Sequence, residues 1–363
     1  MQRLFLIAAM FSCGLWSQAG ADQLAESLAE ELLSRTSAPG VGVAYALGDD
    51  TGIAVAGVRA VGEAVPIELA DLWHIGSNTK SMTATLVARL AESGSIDWDD
   101  RVGDVLSDRL PEIHPAFQEV TYHELLDHRA GLVANIDAEQ SLSLAGTLED
   151  REVVADRMGY AAMVLSQEPV FPPGEGYLYS NAGYVVAGTM LEVSTGLSWE
   201  DLMRQEVFDR LGLASAGFGP PGTIGSLSQP RGHAGTLSTG LAPMEPDQWA
   251  DNVPALGPAG TVHMNLADLL TFLTAHLDEP ATYLSDESWQ MLHRPEGDAS
   301  YRAGWITPPG GLLVHTGSNT FWYLLVAVWP ERDAVLVLAC NYGDIAFLDP
   351  EFGAVAARFF ERS

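Results

Sequence analysis

The sequence predicts an α/β fold: one antiparallel sheet flanked by N- and C-terminal helices, with a mainly helical domain inserted between its two halves. Three observations predict it. Near the start, "VGVAYALGD" and "GIAVAGVRA" are short apolar runs on either side of a turn at Asp49 to Thr51. Near the end, "FWYLLVAVWPERDAVLVLACNYG" holds two more such runs around a turn at Pro330 to Asp333. The long stretch between is mostly helical and loop text, so strands from the two ends must come together to make one sheet.

In chain order, residues 1–21 read as a secretory signal: Arg3, an apolar run from Leu4 to Leu15, then Ala19-Gly20-Ala21 before Asp22. The run is too short to span a bilayer. The mature chain is therefore expected to begin near Asp22, periplasmic or secreted, without stable membrane insertion. Losing the signal removes Cys13 and leaves Cys340 alone in "AVLVLAC", so no intrachain disulfide is available and packing holds the fold. "DQLAESLAEELLSR" then has the apolar spacing of an amphipathic helix with acids in its first turns.

Residues 22–85 and 250–363 are assigned to the sheet domain and 86–249 to the helical domain. Within the latter, "TYHELLDHRAGL", "EDREVVADRMGYAAMVLS" and "AGYVVAGTMLEVSTGLSWEDLMRQEVFDRLGL" carry helical periodicity. Gly217 to Gly240 holds seven glycines and three prolines, the composition of a long surface excursion. Asp137 to Arg151 is a further loop, and "PEFGAVAARFFER" closes the chain as a helix.

Eighteen basic against 48 acidic residues give a net charge of −30, which excludes nucleic acid as a partner. The acids are scattered, as on a solvated surface. His123 and His128 have no carboxylate or cysteine spaced around them as ligands, so neither metal nor cofactor is expected. What remains is a small-molecule or peptide substrate.

The candidate chemistry starts from one residue. The chain has seventeen arginines and a single lysine, Lys80, three residues after Ser77 in "HIGSNTKSMT". A serine hydroxyl is a poor nucleophile unless a base lies within reach. Lysine can be that base if burial lowers its pKa, whereas arginine stays charged and accepts no proton. On a helix starting at Ser77, a spacing of three puts both side chains on one face, and the helix N-terminus offers free N–H groups to an oxyanion.

Two further stretches join this pair: Tyr179-Ser180-Asn181 in "PPGEGYLYSNAGY" and His315-Thr316-Gly317 in "LLVHTGSNTFWY". With "LWHIGSNTKS", "TYHELLDHRAGL", "PAGTVHMNLADLLTFL" and "YRAGW" in the same order, the chain resembles the serine β-lactamase and penicillin-binding-protein superfamily. The likeness is to its class C, D-alanyl-D-alanine carboxypeptidase and family VIII esterase branch, and it spans nearly the whole mature chain. It implies the β-lactamase/transpeptidase-like fold. It also implies Ser77 as the acylated nucleophile, Lys80 as its proton acceptor or relay, and Tyr179 as the group that protonates the leaving group and later activates water. A phenol whose pKa is lowered by neighbouring cations suits that task. Asn181 is implied to hold the substrate amide or orient Lys80, and the backbone N–H groups of Ser77 and Ser318 to form the oxyanion hole. Gly317 is expected to be small because substrate lies against that strand.

His315 stands where most β-lactamases of the superfamily have lysine, and a histidine is largely neutral near pH 7. If "YRAGWI" and "LLVHTG" form a hairpin around "TPPGG", Arg302 falls opposite His315 and either grips a substrate carboxylate or lies as an exposed edge residue. The leading expectation is an acyl-Ser77 hydrolase of the D-alanyl-D-alanine carboxypeptidase type acting on D-amino-acid peptides. The alternatives are a family VIII-type carboxylesterase, a class C-like β-lactamase, and a catalytically silent penicillin-binding-like protein. No G-x-S-x-G elbow occurs, which argues against an α/β-hydrolase esterase.

Overall fold

In the computed structural model the described residues are 7–144, 152–295 and 299–362, with side chains described from residue 20 onward. The expected signal at residues 1–21 falls almost wholly outside those side chains. Among the described residues, no helix is long and apolar enough to cross a membrane.

The first helix, α1 (Ile7–Thr36), leads into strands β1 (Gly40–Leu47) and β2 (Asp50–Gly57). Their turn is Gly48-Asp49, one residue earlier than expected, because Gly48 takes the positive φ of 54° that a two-residue hairpin needs. Five strands follow late in the chain: β3 (Tyr301–Arg302), β4 (Trp305–Ile306), β5 (Leu313–Ser318), β6 (Tyr323–Trp329) and β7 (Ala334–Cys340). They join the first pair in one antiparallel sheet of order β2-β1-β7-β6-β5-β4-β3. The two ends of the chain meet where β1 pairs with β7, Val41 opposite Cys340 and Leu47 opposite Ala334.

Both faces of this sheet are covered. Val41, Val43 and Tyr45 pack with Leu28 and Leu32 of α1 and with Phe352 and Phe359 of the closing helix. Ala44, Val326 and Val337 face the other way, onto Leu266 and Phe272 of the helix Leu266–Asp278. That double cover explains why "AVLVLAC" is apolar without alternation. Cys340 is buried in this layer as a small apolar residue. The closing helix runs Ile345–Phe360 and begins before Pro350, because Asp344 caps it by accepting from the Phe347 N–H.

The inserted region is helical as expected, with helices at Tyr122–Leu126, Val153–Leu165, Asn181–Thr195 and Trp199–Met203. Its interior holds Arg157, fully buried between Glu192 and Glu200. Residues 138–143 of the expected Asp137–Arg151 loop form a short helix capped by Asp137; 145–151 lie outside the described residues. Gly217–Gly240 is not a simple surface excursion. Phe218 pairs with Val262, and His233–Thr236 forms a hairpin with Gly240–Pro243. His233 anchors that hairpin in the interior, its Nδ1 2.6 Å from the Asn341 carbonyl and its Nε2 accepting from the Val61 N–H at 2.9 Å.

Candidate active site

Ser77 lies in a single 3₁₀ turn, Gly76–Asn78, that runs directly into the helix α2 (Thr79–Glu92). The strand before it is pinned by pairing of Trp73 with Met264 and His74 with His263. Gly76 takes a φ of 53°, and a Cβ there would stand 2.4 Å from the Ser318 nitrogen. The turn bearing Ser77 and the end of β5 are thus in backbone contact. β5 pairs with β4 at Val314 and Ile306.

Lys80 is fully buried. Its Nζ lies 3.1 Å from Ser77 Oγ, 2.7 Å from Asn181 Oδ1 and 2.7 Å from the Ala259 carbonyl. The orientation of the Asn181 amide is set by its Nδ2, which donates to Asn135 Oδ1 at 2.8 Å. Burial drives the Lys80 pKa well below its ordinary value. The expected pairing of one uncharged amine with one hydroxyl is therefore what this pocket favours.

Tyr179 completes the cluster. Its hydroxyl hydrogen-bonds to Ser77, and Lys80 Nζ sits 4.8 Å from the centre of its ring. Its position is built locally: the Leu178 N–H donates to the His128 carbonyl at 3.0 Å, and the Ser180 N–H donates to His128 Nδ1 at 3.1 Å. The helix Asn181–Thr195 then starts on Ser180, whose side chain accepts from the Gly183 N–H. His128 is thus a buttress, buried and held neutral by desolvation. The expected lowering of the Tyr179 pKa is overturned: burial raises it, and the hydrogen bond with Ser77 offsets this only in part. Desolvation of the ring therefore keeps the phenol protonated.

The expected hairpin around "TPPGG" forms, with Ile306 of β4 pairing with Val314 of β5, but a second turn at Ala303-Gly304, at φ 45° and 89°, folds β3 back along the outer side of β4 and corrects the expected place of Arg302. Tyr301, which pairs with Ile306, is consequently the residue beside His315, with its hydroxyl 3.2 Å from His315 Nε2. Arg302 points the opposite way: Nη1 donates to Asp127 Oδ2 at 2.7 Å, Nε donates to the Met291 carbonyl at 2.6 Å, and the residue is 2% exposed. It is neither a carboxylate clamp nor an exposed edge residue. Gly317 is small for a different reason from the one expected. A Cβ there would meet the Ile75 carbonyl at 2.1 Å and Asn78 Nδ2 at 2.7 Å, so the strand packs against the turn bearing Ser77.

His315 is buried, and desolvation together with the charge of Lys80 in its protonated form pushes its pKa down to about 3. It is a neutral hydrogen-bonding group. Thr316 hydrogen-bonds through its side chain to Tyr323 on β6. The cleft in front of Ser77 has a volume of about 300 Å³ and is walled by Tyr177, Tyr301, Ile306, His315, Thr316 and Ile345, besides Tyr179 and the Gly317-Ser318 backbone. A larger cavity, of about 620 Å³, borders Phe218 and Asp251 but not Ser77, so the chemistry and not the volume picks out the site. Among the described residues no cluster of histidines, cysteines and carboxylates could hold a metal ion.

Of the residues singled out in the sequence, Ser77, Tyr179 and His315–Ser318 line one cleft, and Lys80 and Asn181 are joined to it through the contact of Lys80 with Ser77. Sequence reading missed the Ala259 carbonyl and Asn135, which act on Lys80 directly and through Asn181. It also missed Tyr301. The Ala259 carbonyl lies within "PAGTVHMNLADLLTFL"; Asn135 carries no signal.

A family model for Beta-lactamase matches residues 25–356. Penicillin-binding protein 4 of Amycolatopsis lactamdurans is 30% identical over 66% of this chain and 60% of its own length. Unguisins hydrolase ungD of Aspergillus violaceofuscus is 24% identical over 69% of this chain, but the match spans only 44% of that protein. The chain thus covers less than two thirds of the length of these relatives. The solved structure of D-amino acid amidase from Ochrobactrum anthropi superposes with a TM-score of 0.74 at 21% identity, covering 95% of this chain and all of that one.

Proposed function

The chain belongs to the Beta-lactamase family and is a serine hydrolase of that fold; on this premise we propose that it acylates Ser77 with the acyl group of a neutral ester or amide and then releases that group to water. The observation that carries the reading is the polarity of the cleft. His315 is neutral, Arg302 is turned into Asp127, and among the described residues no arginine lines the cleft. Its rim is apolar: Tyr177, Ile306 and Ile345 are 53%, 40% and 45% exposed and come from three different elements. A carboxylate beside the scissile bond, as in a D-alanyl-D-alanine peptide or a β-lactam, finds no fixed cation there. An uncharged acyl or leaving group finds apolar surface to cover.

The proposed reaction follows from the proton inventory. Neutral Lys80 accepts the Ser77 proton as Oγ bonds to the carbonyl carbon, and the resulting oxyanion is held by the N–H groups of Ser77 and Ser318. Tyr179, still protonated, donates to the departing alcohol or amine and is reprotonated from Lys80. Water then repeats the sequence in the opposite direction, losing its proton through Tyr179 and Lys80 and freeing the acid and Ser77. The enzyme is proposed to act outside the cytoplasm, for which the pattern of residues 1–21 is the support.

The test is a parallel rate comparison on a short-chain aryl ester, the matching primary amide, a D-Ala-D-Ala peptide and a cephalosporin, with Ser77→Ala as control. The ester and amide should turn over fastest, and Ser77→Ala should lose all four activities. Faster turnover of the peptide would return the carboxypeptidase reading to first place.

A further inference from the structure

Both arms of the oxyanion hole lead to one carboxylate outside the cleft. On the nucleophile side, the Gly76 N–H donates to His74 Nδ1 at 3.2 Å. This makes Nε2 the protonated nitrogen of that ring, and it lies 2.8 Å from Asp251 Oδ1. The N–H points off the line to that oxygen, so the contact is a short attraction between a carboxylate and a ring N–H. On the strand side, Asn319 follows Ser318, and its Nδ2 donates to the same Asp251 Oδ1 at 3.1 Å and to the Ala250 carbonyl at 3.1 Å. The carboxylate and both partners are buried: the side chains of His74 and Asp251 are 0% and 4% exposed and Asn319 is 4% exposed.

The neighbouring residue extends the same strap to the base. Asn252 Nδ2 donates to the Gly260 carbonyl at 3.0 Å, and the adjacent Ala259 carbonyl is an acceptor of Lys80. Three backbone stations of the proposed chemistry are therefore tied to residues 250–252: the turn bearing Ser77, the strand end bearing Ser318, and the carbonyl facing Lys80. None of these residues borders the cleft. Their side chains act on the reaction only through the backbone they hold.

We propose that Asp251 is a positioning residue that sets the separation and orientation of the two oxyanion N–H donors by holding His74 and Asn319 with one carboxylate oxygen. An N–H group placed wrongly by a fraction of an ångström stabilises the tetrahedral oxyanion less while leaving substrate binding almost unchanged, since the oxyanion exists only after attack. The inference rests on the reading of Ser77 as the acylated residue and is independent of which ester or amide is the substrate.

The test uses the full chain, an aryl ester and Asp251→Asn and Asp251→Ala variants, with affinity for an alkylboronic acid, which forms a tetrahedral adduct on serine, as the second readout. Asp251→Ala is expected to lose about 100-fold in kcat with KM within about twofold, and Asp251→Asn, which keeps an oxygen acceptor, about tenfold. Boronate affinity should fall in step with kcat in both. A folded Asp251→Asn with unaltered kcat overturns the proposal. So does a loss of kcat in either variant with boronate affinity unchanged, which would mark Asp251 as a support of the fold only. Labelling of the wild-type protein by a fluorophosphonate separates the two levels: an unlabelled Ser77 removes the acyl-enzyme reading itself, whereas a labelled Ser77 with an unaffected Asp251→Asn removes this inference alone.

Discussion

Lys80 Nζ stands 3.1 Å from Ser77 Oγ, and its two shorter contacts, both 2.7 Å, are to oxygens that can only accept. A neutral amine has two N–H bonds and one lone pair. Asn181 Oδ1 and the Ala259 carbonyl take the two N–H bonds, which leaves the lone pair directed at the serine hydroxyl. Burial lowers the pKa and so shifts the equilibrium toward this form. For the proposed reaction, the arrangement would orient the base as well as make it available.

Lys80→Arg keeps the positive charge and loses the lone pair. It should reduce the rate of ester acylation by about 10²- to 10⁴-fold, the usual contribution of a positioned general base. Stopped-flow release of the aryl alcohol checks this, and near-wild-type acylation would show that the amine accepts no proton.

Asn181→Asp places a carboxylate where a neutral carbonyl now touches the amine at 2.7 Å. An opposite charge at that range favours the ammonium and raises its pKa by about 1–3 units. The acid limb of kcat/KM should move to higher pH by a similar amount, with activity recovered in alkaline buffer. A uniform loss at every pH would assign Asn181 to substrate binding instead.

Gly76→Ala and Gly317→Ala test the contact between the nucleophile turn and β5. The added methyls would fall 2.4 Å from the Ser318 nitrogen and 2.1 Å from the Ile75 carbonyl. Real Cβ atoms do not come so close, so the strand must move away from the turn. Each variant should lose at least about 100-fold in kcat, measured on the ester and set against thermal denaturation to separate loss of fold from loss of alignment.

Arg302→Ala leaves Asp127 buried without its counter-ion, and Asp127 also accepts from the Ala303 N–H at 2.9 Å. Removing one partner of such a pair costs about 3–5 kcal/mol, which urea denaturation measures. Turnover of neutral and carboxylate-bearing substrates should fall by the same factor. A selective loss on the carboxylate-bearing ones would reinstate the clamp.

Why some of this was legible in the sequence and some was not is visible at single residues. Ser77 and Lys80 are three apart on continuous helical text, so local geometry brings them together. The central strands could be read because both faces are buried and the apolar runs are unbroken. Arg302 is misplaced by the sequence because a second turn at Ala303-Gly304 interrupts "YRAGWI", and a turn inserted there changes which side chain faces the cleft. Tyr179 was assigned the wrong pKa direction because the local text shows a possible cation nearby but not the burial that outweighs it. Asp251 lies far in sequence from both His74 and Asn319, and only the packed chain shows that they share an oxygen.

The central claim is that Lys80 is neutral when Ser77 attacks. The most direct measurement is the single-turnover acylation rate of the wild-type protein as a function of pH. The neutral fraction of an amine grows as pH rises through its pKa, so the rate should climb on an acid limb far below the ordinary lysine value of 10.5 and be flat above it. A rate that keeps rising tenfold per pH unit up to that ordinary value would mean that the amine is charged at neutral pH, and would contradict the account.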